Sequence, residues 1–108
     1  LEDRKDRREF NILFPPFLRE AVEETAKRNR RSISAEITVA TERYIAANVE
    51  DGPPGYYGNL KRTKVWIPRD VHQAVSYLAE SRNWSMNQVF MAATAWHVRQ
   101  ENGSAMDA

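Results

Sequence analysis

Two short alternating runs carry the most usable side-chain chemistry in this chain: Glu9-Phe-Asn-Ile-Leu-Phe-Pro15 and Arg62-Thr-Lys-Val-Trp-Ile-Pro68, which lies 53 residues further on. On an extended strand Glu9, Asn11 and Leu13 share one face, and Phe10, Ile12 and Phe14 share the other. The same alternation sets Arg62, Lys64 and Trp66 against Thr63, Val65 and Ile67. One face is therefore fit for burial. The other presents a carboxylate, a carboxamide, a guanidinium and an ammonium, which are donors and acceptors suited to recognition. Leu13 and Trp66 can add only apolar contact, and on an exposed face they need a partner surface.

Residues that could make or break bonds are missing around these runs. The chain has no cysteine, which excludes disulfides and thiolate metal sites. It has no Gly-rich phosphate loop and no nucleophile motif. His72 and His97 fall on different expected helices without a matching carboxylate pattern. His97 stands at the repeat position of Tyr44, which points to a partly buried structural histidine, and His72 is expected on an exposed helix face. The expectation is a protein that is not an enzyme, with no metal, no cofactor and no small-molecule effector.

The elements that must position the two runs repeat as well. Each run ends at a proline, whose fixed φ suits a helix start. After Pro15, residues Leu18, Ala21, Val22, Thr25 and Ala26 recur at helical spacing through Arg28. Asn29, Arg30 and Arg31 break the pattern, and Ser32 is a good N-cap. The second helix carries Ile33, Ile37, Ala40, Thr41, Tyr44 and Ile45 on one side and fades near Asn48. Residues 49–61 contain Asp51-Gly-Pro-Pro-Gly55 and read as a linker. Fully extended, it spans on the order of 40 Å. Tyr56 and Tyr57 are expected to pack on the outside of the fold. Pro68 then opens a helix with Val71, Ala74, Val75, Leu78 and Ala79 on its apolar stripe, ending at Arg82-Asn83. Ser85 with Gln88 forms a capping box for a last helix that buries Met86, Phe90, Ala93, Thr94 and Val98 and frays beyond Glu101. Pro15/Pro68, Ala21/Ala74, Val22/Val75, Ala26/Ala79, Ser32/Ser85, Ala40/Ala93 and Thr41/Thr94 are identical at the constant offset. The chain is an internal duplication: a flexible charged arm at 1–8, one unit at 9–48, the linker, a second unit at 62–101 and a tail at 102–108.

With 108 residues and 42% hydrophobic content, the chain makes one modest core. A unit of roughly 40 residues buries too little surface to fold alone, and its single strand lacks a ladder partner. The two strands are therefore expected to pair antiparallel, with Asn11 opposite Lys64, Glu9 opposite Trp66 and Leu13 opposite Arg62, above four helices sharing one core. Net charge is only +1, a weak argument for a polyanionic partner, but the cations cluster: Arg4, Lys5, Arg7 and Arg8 precede the first strand, and Lys27, Arg28, Arg30 and Arg31 precede Ser32. No apolar stretch approaches the roughly 20 residues of a membrane helix, and no signal-peptide pattern opens the residues given. A cytoplasmic protein without membrane contact is expected.

The first unit, through Glu-Phe-Asn-Ile-Leu-Phe-Pro at 9–15 and Arg-Arg-Ser-Ile-Ser-Ala-Glu-Ile at 30–37, resembles the Arc/Mnt branch of the Arc/MetJ-type ribbon–helix–helix family. The second unit is similar more loosely, through Lys-Val-Trp-Ile-Pro and Asn-Trp-Ser-Met-Asn-Gln. Two units in one chain resemble the tandem form found in plasmid conjugation. The resemblance implies a mostly α fold with a short two-stranded antiparallel β-ribbon, the two ribbon–helix–helix units forming an intramolecular pseudo-dimer. It also implies a buried ionic cluster, of which Arg31 and Glu36 match two members while Ala40 departs from the third; Trp84, Val89 and Ala93 stand at the corresponding places of the second unit.

For function, the resemblance implies double-stranded DNA as partner, read in the major groove by Glu9, Asn11, Leu13, Arg62, Lys64 and Trp66. Arg62 and Lys64 can donate to guanine O6 and N7, Asn11 can bridge adenine, and Glu9 can accept from cytosine N4. Leu13 and Trp66 depart from the polar or basic residues usual there and offer contact to a thymine methyl. The starts of the second helices, Ser32, Ile33 and Ser34 with Arg30 and Arg31, and Ser85, Met86 and Asn87, present backbone N–H groups to phosphate. A repressor or a plasmid-transfer accessory protein reading an asymmetric site is expected, with further copies on adjacent sites. The alternative is a protein-interaction module using Leu13 and Trp66.

Overall fold

A few residues decide where the helices of this chain begin and end. In the computed structural model, which describes residues 7–55 and 58–107, the order is β1 (Arg7–Phe14), α1 (Pro16–Arg28), α2 (Ile33–Ala46), β2 (Lys61–Pro68), α3 (Arg69–Arg82) and α4 (Met86–Asp107). Pro15 and Pro68 are the extended caps of α1 and α3, so each strand runs directly into a helix, and Pro16 takes the first helical position. Ser32 Oγ accepts the Ala35 N–H at 3.1 Å. The capping box closes at 3.1 Å from Gln88 N–H to Ser85 Oγ and at 2.8 Å from Ser85 N–H to Gln88 Oε1. α1 and α3 end in the same turn: Arg30 and Asn83 have φ 57° and 59°, and the Arg31 and Trp84 N–H groups return to the carbonyls of Ala26 and Ala79.

The strands pair antiparallel from Arg7↔Pro68 to Phe14↔Lys61, with Asn11 opposite Lys64, Glu9 opposite Trp66 and Leu13 opposite Arg62, the register expected from the repeat. The fold is mostly helical with this one two-stranded sheet. Ile12, Phe14, Val65 and Ile67 turn inward onto Leu18, Val22, Ile37, Val71, Val75, Val89 and Phe90, all buried in one cluster. α2 and α4 pack closely against each other beneath the ribbon.

Several expectations change, among them the end of the linker, since Lys61 belongs to β2. Arg7 and Arg8 belong to β1 rather than to an arm, because backbone pairing continues while Ile67 and Pro68 supply partners; residues 1–6 lie outside the described residues. α4 continues to Asp107 instead of fraying at Glu101, held where Glu101 meets Arg43 (3.5 Å) and Asn29 (3.4 Å) and Arg28 meets Asn102 (3.3 Å). The first part of the linker is fastened: Tyr44 Oη donates to Asp51 O, and Arg82 donates to Tyr44 Oη and to Val49 O, each at 2.6 Å. Tyr56 and Tyr57 lie outside the described residues. His72 is half-buried edge-on to Phe10, with centroids 6.0 Å apart. Burial, then the charge of Arg8, pushes its pKa down.

The core differs between the halves. Glu36 is fully buried and accepts from Asn29 (3.0 Å), Arg31 (3.1 Å) and His97 Nε2 (2.6 Å). Burial pushes this carboxyl up, but the hydrogen bonds from His97, Asn29 and Arg31, with the Arg31 charge, outweigh it, so its pKa lies below the ordinary value. Val89 holds the equivalent place in the second half and is apolar and buried, as is Ala93, while Trp84 is half-buried. His97 is fully buried rather than partly so. Among the described residues no helix is long and apolar enough to cross a membrane.

Candidate nucleic-acid interface

The outward row of the ribbon follows from strand alternation and the observed register. Arg7, Glu9, Asn11 and Leu13 of β1 and Arg62, Lys64 and Trp66 of β2 are all exposed. Asn11 and Lys64 face each other at the centre. Lys64 Nζ lies 3.3 Å diagonally from Glu9 Oε2, both side chains well exposed, and an ion pair in that setting contributes about 0–1 kcal/mol. A ligand can therefore displace it at little cost. Leu13 and Trp66 remain 38% and 42% exposed.

The second helices hold the ribbon from beneath. Ser34 Oγ accepts the Trp66 N–H at 3.0 Å. Asn87 Oδ1 accepts the Leu13 N–H at 2.8 Å, and Asn87 Nδ2 donates to Leu13 O at 3.1 Å. Ser34 and Asn87 are 53 residues apart, and so are Leu13 and Trp66, so the second helix of each half fastens the strand of the other. Two side chains expected to face phosphate thus have a structural role. Asn87→Ala leaves the Leu13 backbone groups dependent on water. It is expected to cost about 1–2 kcal/mol of stability in denaturant melts, with faster amide exchange at Leu13.

The remaining helix-start residues divide. Ile33 and Met86 pack their side chains on the core, so only their backbone N–H groups belong to the face. Those first-turn N–H groups have no acceptor within their own helices. Ser32 and Ser85 are exposed and spend their hydroxyls on capping. Arg30 is exposed, whereas Arg31 is turned to Glu36 and is only one-third exposed.

The structure adds Arg7, Arg8 and Lys61 to the surface. Arg8 and Lys61 share the repeat offset, a signal that could have found both. Because the strands run antiparallel, Arg7 sits at the ribbon end beside the start of α2, and Arg8 is turned to the other face, where its charge acts on His72 of α3. Beside α2, Arg7, Ser32, Ser34, Trp66 and Pro68 line a groove of about 350 Å³. Lys61 and Arg62 sit at the opposite end, where Phe14 pairs with Lys61. Arg7, Arg8, Arg30, Lys61, Arg62 and Lys64 thus gather on the ribbon and its flanks with Glu9 as the acid among them, while Glu20, Glu24, Glu42 and Asp70 stand exposed on the helices. The helices also carry the exposed cations Lys27, Arg28, Arg43, Arg69 and Arg99, so charge there is mixed and the local excess of cations lies on the ribbon and its flanks.

No family model matches the chain, and no curated protein and no solved structure matches it either.

Proposed function

We propose that the two halves are tandem ribbon–helix–helix units forming an intramolecular pseudo-dimer, and that the ribbon binds double-stranded DNA in the major groove and reads its sequence. The observation that carries this reading is the outward ribbon face, on which Arg7, Arg62 and Lys64 accompany Asn11 between two helix starts. A two-stranded ribbon fits the major groove. Asn11, Lys64, Arg62 and Glu9 supply base-edge donors and acceptors; Leu13 and Trp66 supply apolar contact at opposite ends. The N–H groups at the starts of α2 and α4 take the flanking phosphates. Arg7 and Arg30 make the first-half end the stronger anchor.

The two strands differ at every outward position, so the site they read is asymmetric. Such a cytoplasmic protein acts as a repressor or as an accessory factor at a plasmid transfer origin. The exposure of Leu13 and Trp66 favours a second reading, in which the ribbon contacts another protein.

The discriminating experiment is titration of a mixed-sequence duplex at several salt concentrations, followed by fluorescence anisotropy. Binding that weakens steeply with salt, with a log–log slope of roughly −0.9 per phosphate contacted, is expected. Failure to bind at low salt, with Leu13 and Trp66 instead required to hold a protein partner, would transfer the ribbon to the second reading.

A further inference from the structure

Trp66 is the largest side chain on the outward ribbon face, and 42% of it is exposed. Its backbone is fixed, because Ser34 Oγ accepts its N–H at 3.0 Å. The indole walls the groove of about 350 Å³ beside α2, together with Ser32, Ser34, Ala35, Thr38 and Val39. A cleft of that size falls within the range that takes small ligands, about 300–1,000 Å³. Among the described residues no carboxylate lines it, so an amine finds no counter-charge there. Ala35 and Val39 offer apolar contact. Ser32 and Ser34 accept backbone N–H groups and so keep their own hydroxyl hydrogens to donate, and Thr38 adds a third hydroxyl. An aromatic face beside apolar contacts and neutral donors and acceptors matches a flat heterocycle with polar edges. The other end of the ribbon is built differently. At the repeat offset Leu13 stands in place of Trp66, Gln88 in place of Ala35 and Met91 in place of Thr38. Gln88 is spent on the Ser85 cap, and Met91 packs on the core.

We propose that this groove receives a single unpaired nucleobase stacked on Trp66, so that the protein favours a duplex carrying an extrahelical base at that end of the ribbon. The inference rests on the DNA reading given above. Trp66 belongs to the row that faces the duplex, so a displaced base reaches the groove while Asn11 and Lys64 stay in the major groove. Stacking on one aromatic ring returns about as much free energy as extruding a base costs, and that cost is least for a base that already lacks a partner. The groove therefore captures such a base rather than pulling one out of an intact pair. The hydroxyls of Ser32, Ser34 and Thr38 then meet the polar edge that base pairing would have covered.

The test compares the native protein with the double variant Ala35→Gln with Thr38→Met, which fills the groove with the side chains of the other half. Gln at position 35 completes a capping box with Ser32, so the variant is expected to fold, and circular dichroism checks that it does. One duplex sequence is prepared fully paired and with a single unpaired adenine at successive positions along each strand. The native protein is expected to bind at least one interrupted duplex about tenfold more tightly than the paired one. The filled variant is expected to bind all of them alike, with its affinity for the paired duplex unchanged. In a second arm without DNA, adenosine monophosphate is titrated while the indole N–H signals of the three tryptophans are followed by NMR. The Trp66 signal, identified by its loss in Trp66→Leu, is expected to move in the native protein and to stay in place in the filled variant. Binding of the paired duplex without preference for any interrupted one, a preference that survives in the filled variant, or a Trp66 signal indifferent to the nucleotide would each overturn the proposal. If no duplex is bound, the DNA reading falls and the nucleotide arm alone decides the groove, so the two failures remain distinguishable.

Discussion

Glu36→Ala is expected to lower the unfolding free energy by about 3–5 kcal/mol at neutral pH, because breaking a buried ionic cluster strands its partners. His97 is 1% exposed and loses its acceptor, while Arg31 is one-third exposed and can turn to water, which places the loss in the lower half of that range. Glu36→Gln keeps an acceptor but removes the charge, and it should fall between alanine and the native protein. The pH dependence has a definite sign. The folded pKa of Glu36 is lowered from 4.5, so its contribution is complete above that value and is lost as pH falls through the folded pKa. Urea melts of the native protein and Glu36→Ala should therefore converge toward acid. Equal midpoints at neutral pH would mean the cluster contributes nothing.

The second large effect belongs to the centre of the ribbon. Asn11→Ala with Lys64→Ala is expected to weaken binding to the preferred duplex by about 2–6 kcal/mol, the sum of two base contacts of about 1–3 kcal/mol each. Binding to unrelated duplexes should weaken only slightly, through the loss of one cation. Both side chains are exposed, so stability should stay within about 0.5 kcal/mol of the native protein. Equal losses on all sequences would make Lys64 a phosphate contact and leave Asn11 without a reading role.

Much of this architecture was legible in the residues, for physical reasons that can be named. Strict alternation over Phe10, Ile12 and Phe14 and over Val65 and Ile67 defines which face is buried, and the constant offset then centres the pairing on Asn11 and Lys64. Ser32, Ser85 and Gln88 mark helix starts through local hydrogen bonds that need no knowledge of the fold. Illegible features depend on distant partners. Ladder hydrogen bonds join backbones and are blind to hydropathy, so Arg7 could not be placed by pattern, and Arg8 and Lys61 only through the repeat offset they share. Glu101 and Asn102 of α4 are met by Arg28, Asn29 and Arg43, from elements remote in sequence. His97 finds Glu36 across 61 residues, and no spacing rule links a histidine on one helix to a carboxylate on another. Ser34 and Asn87 show the same limit: their position at helix starts was plain, but their hold on Trp66 and Leu13 emerges only once the strands are paired.

Base reading by the ribbon is the property from which the asymmetric site and the roles of Asn11 and Lys64 follow. Selection from a pool of random duplexes at moderate salt tests it most directly. Enrichment of one asymmetric site is expected, with its central base preference relaxed when the selection is repeated with Lys64→Ala. No enrichment over the starting pool, or the same site enriched by native protein and Lys64→Ala alike, would contradict it.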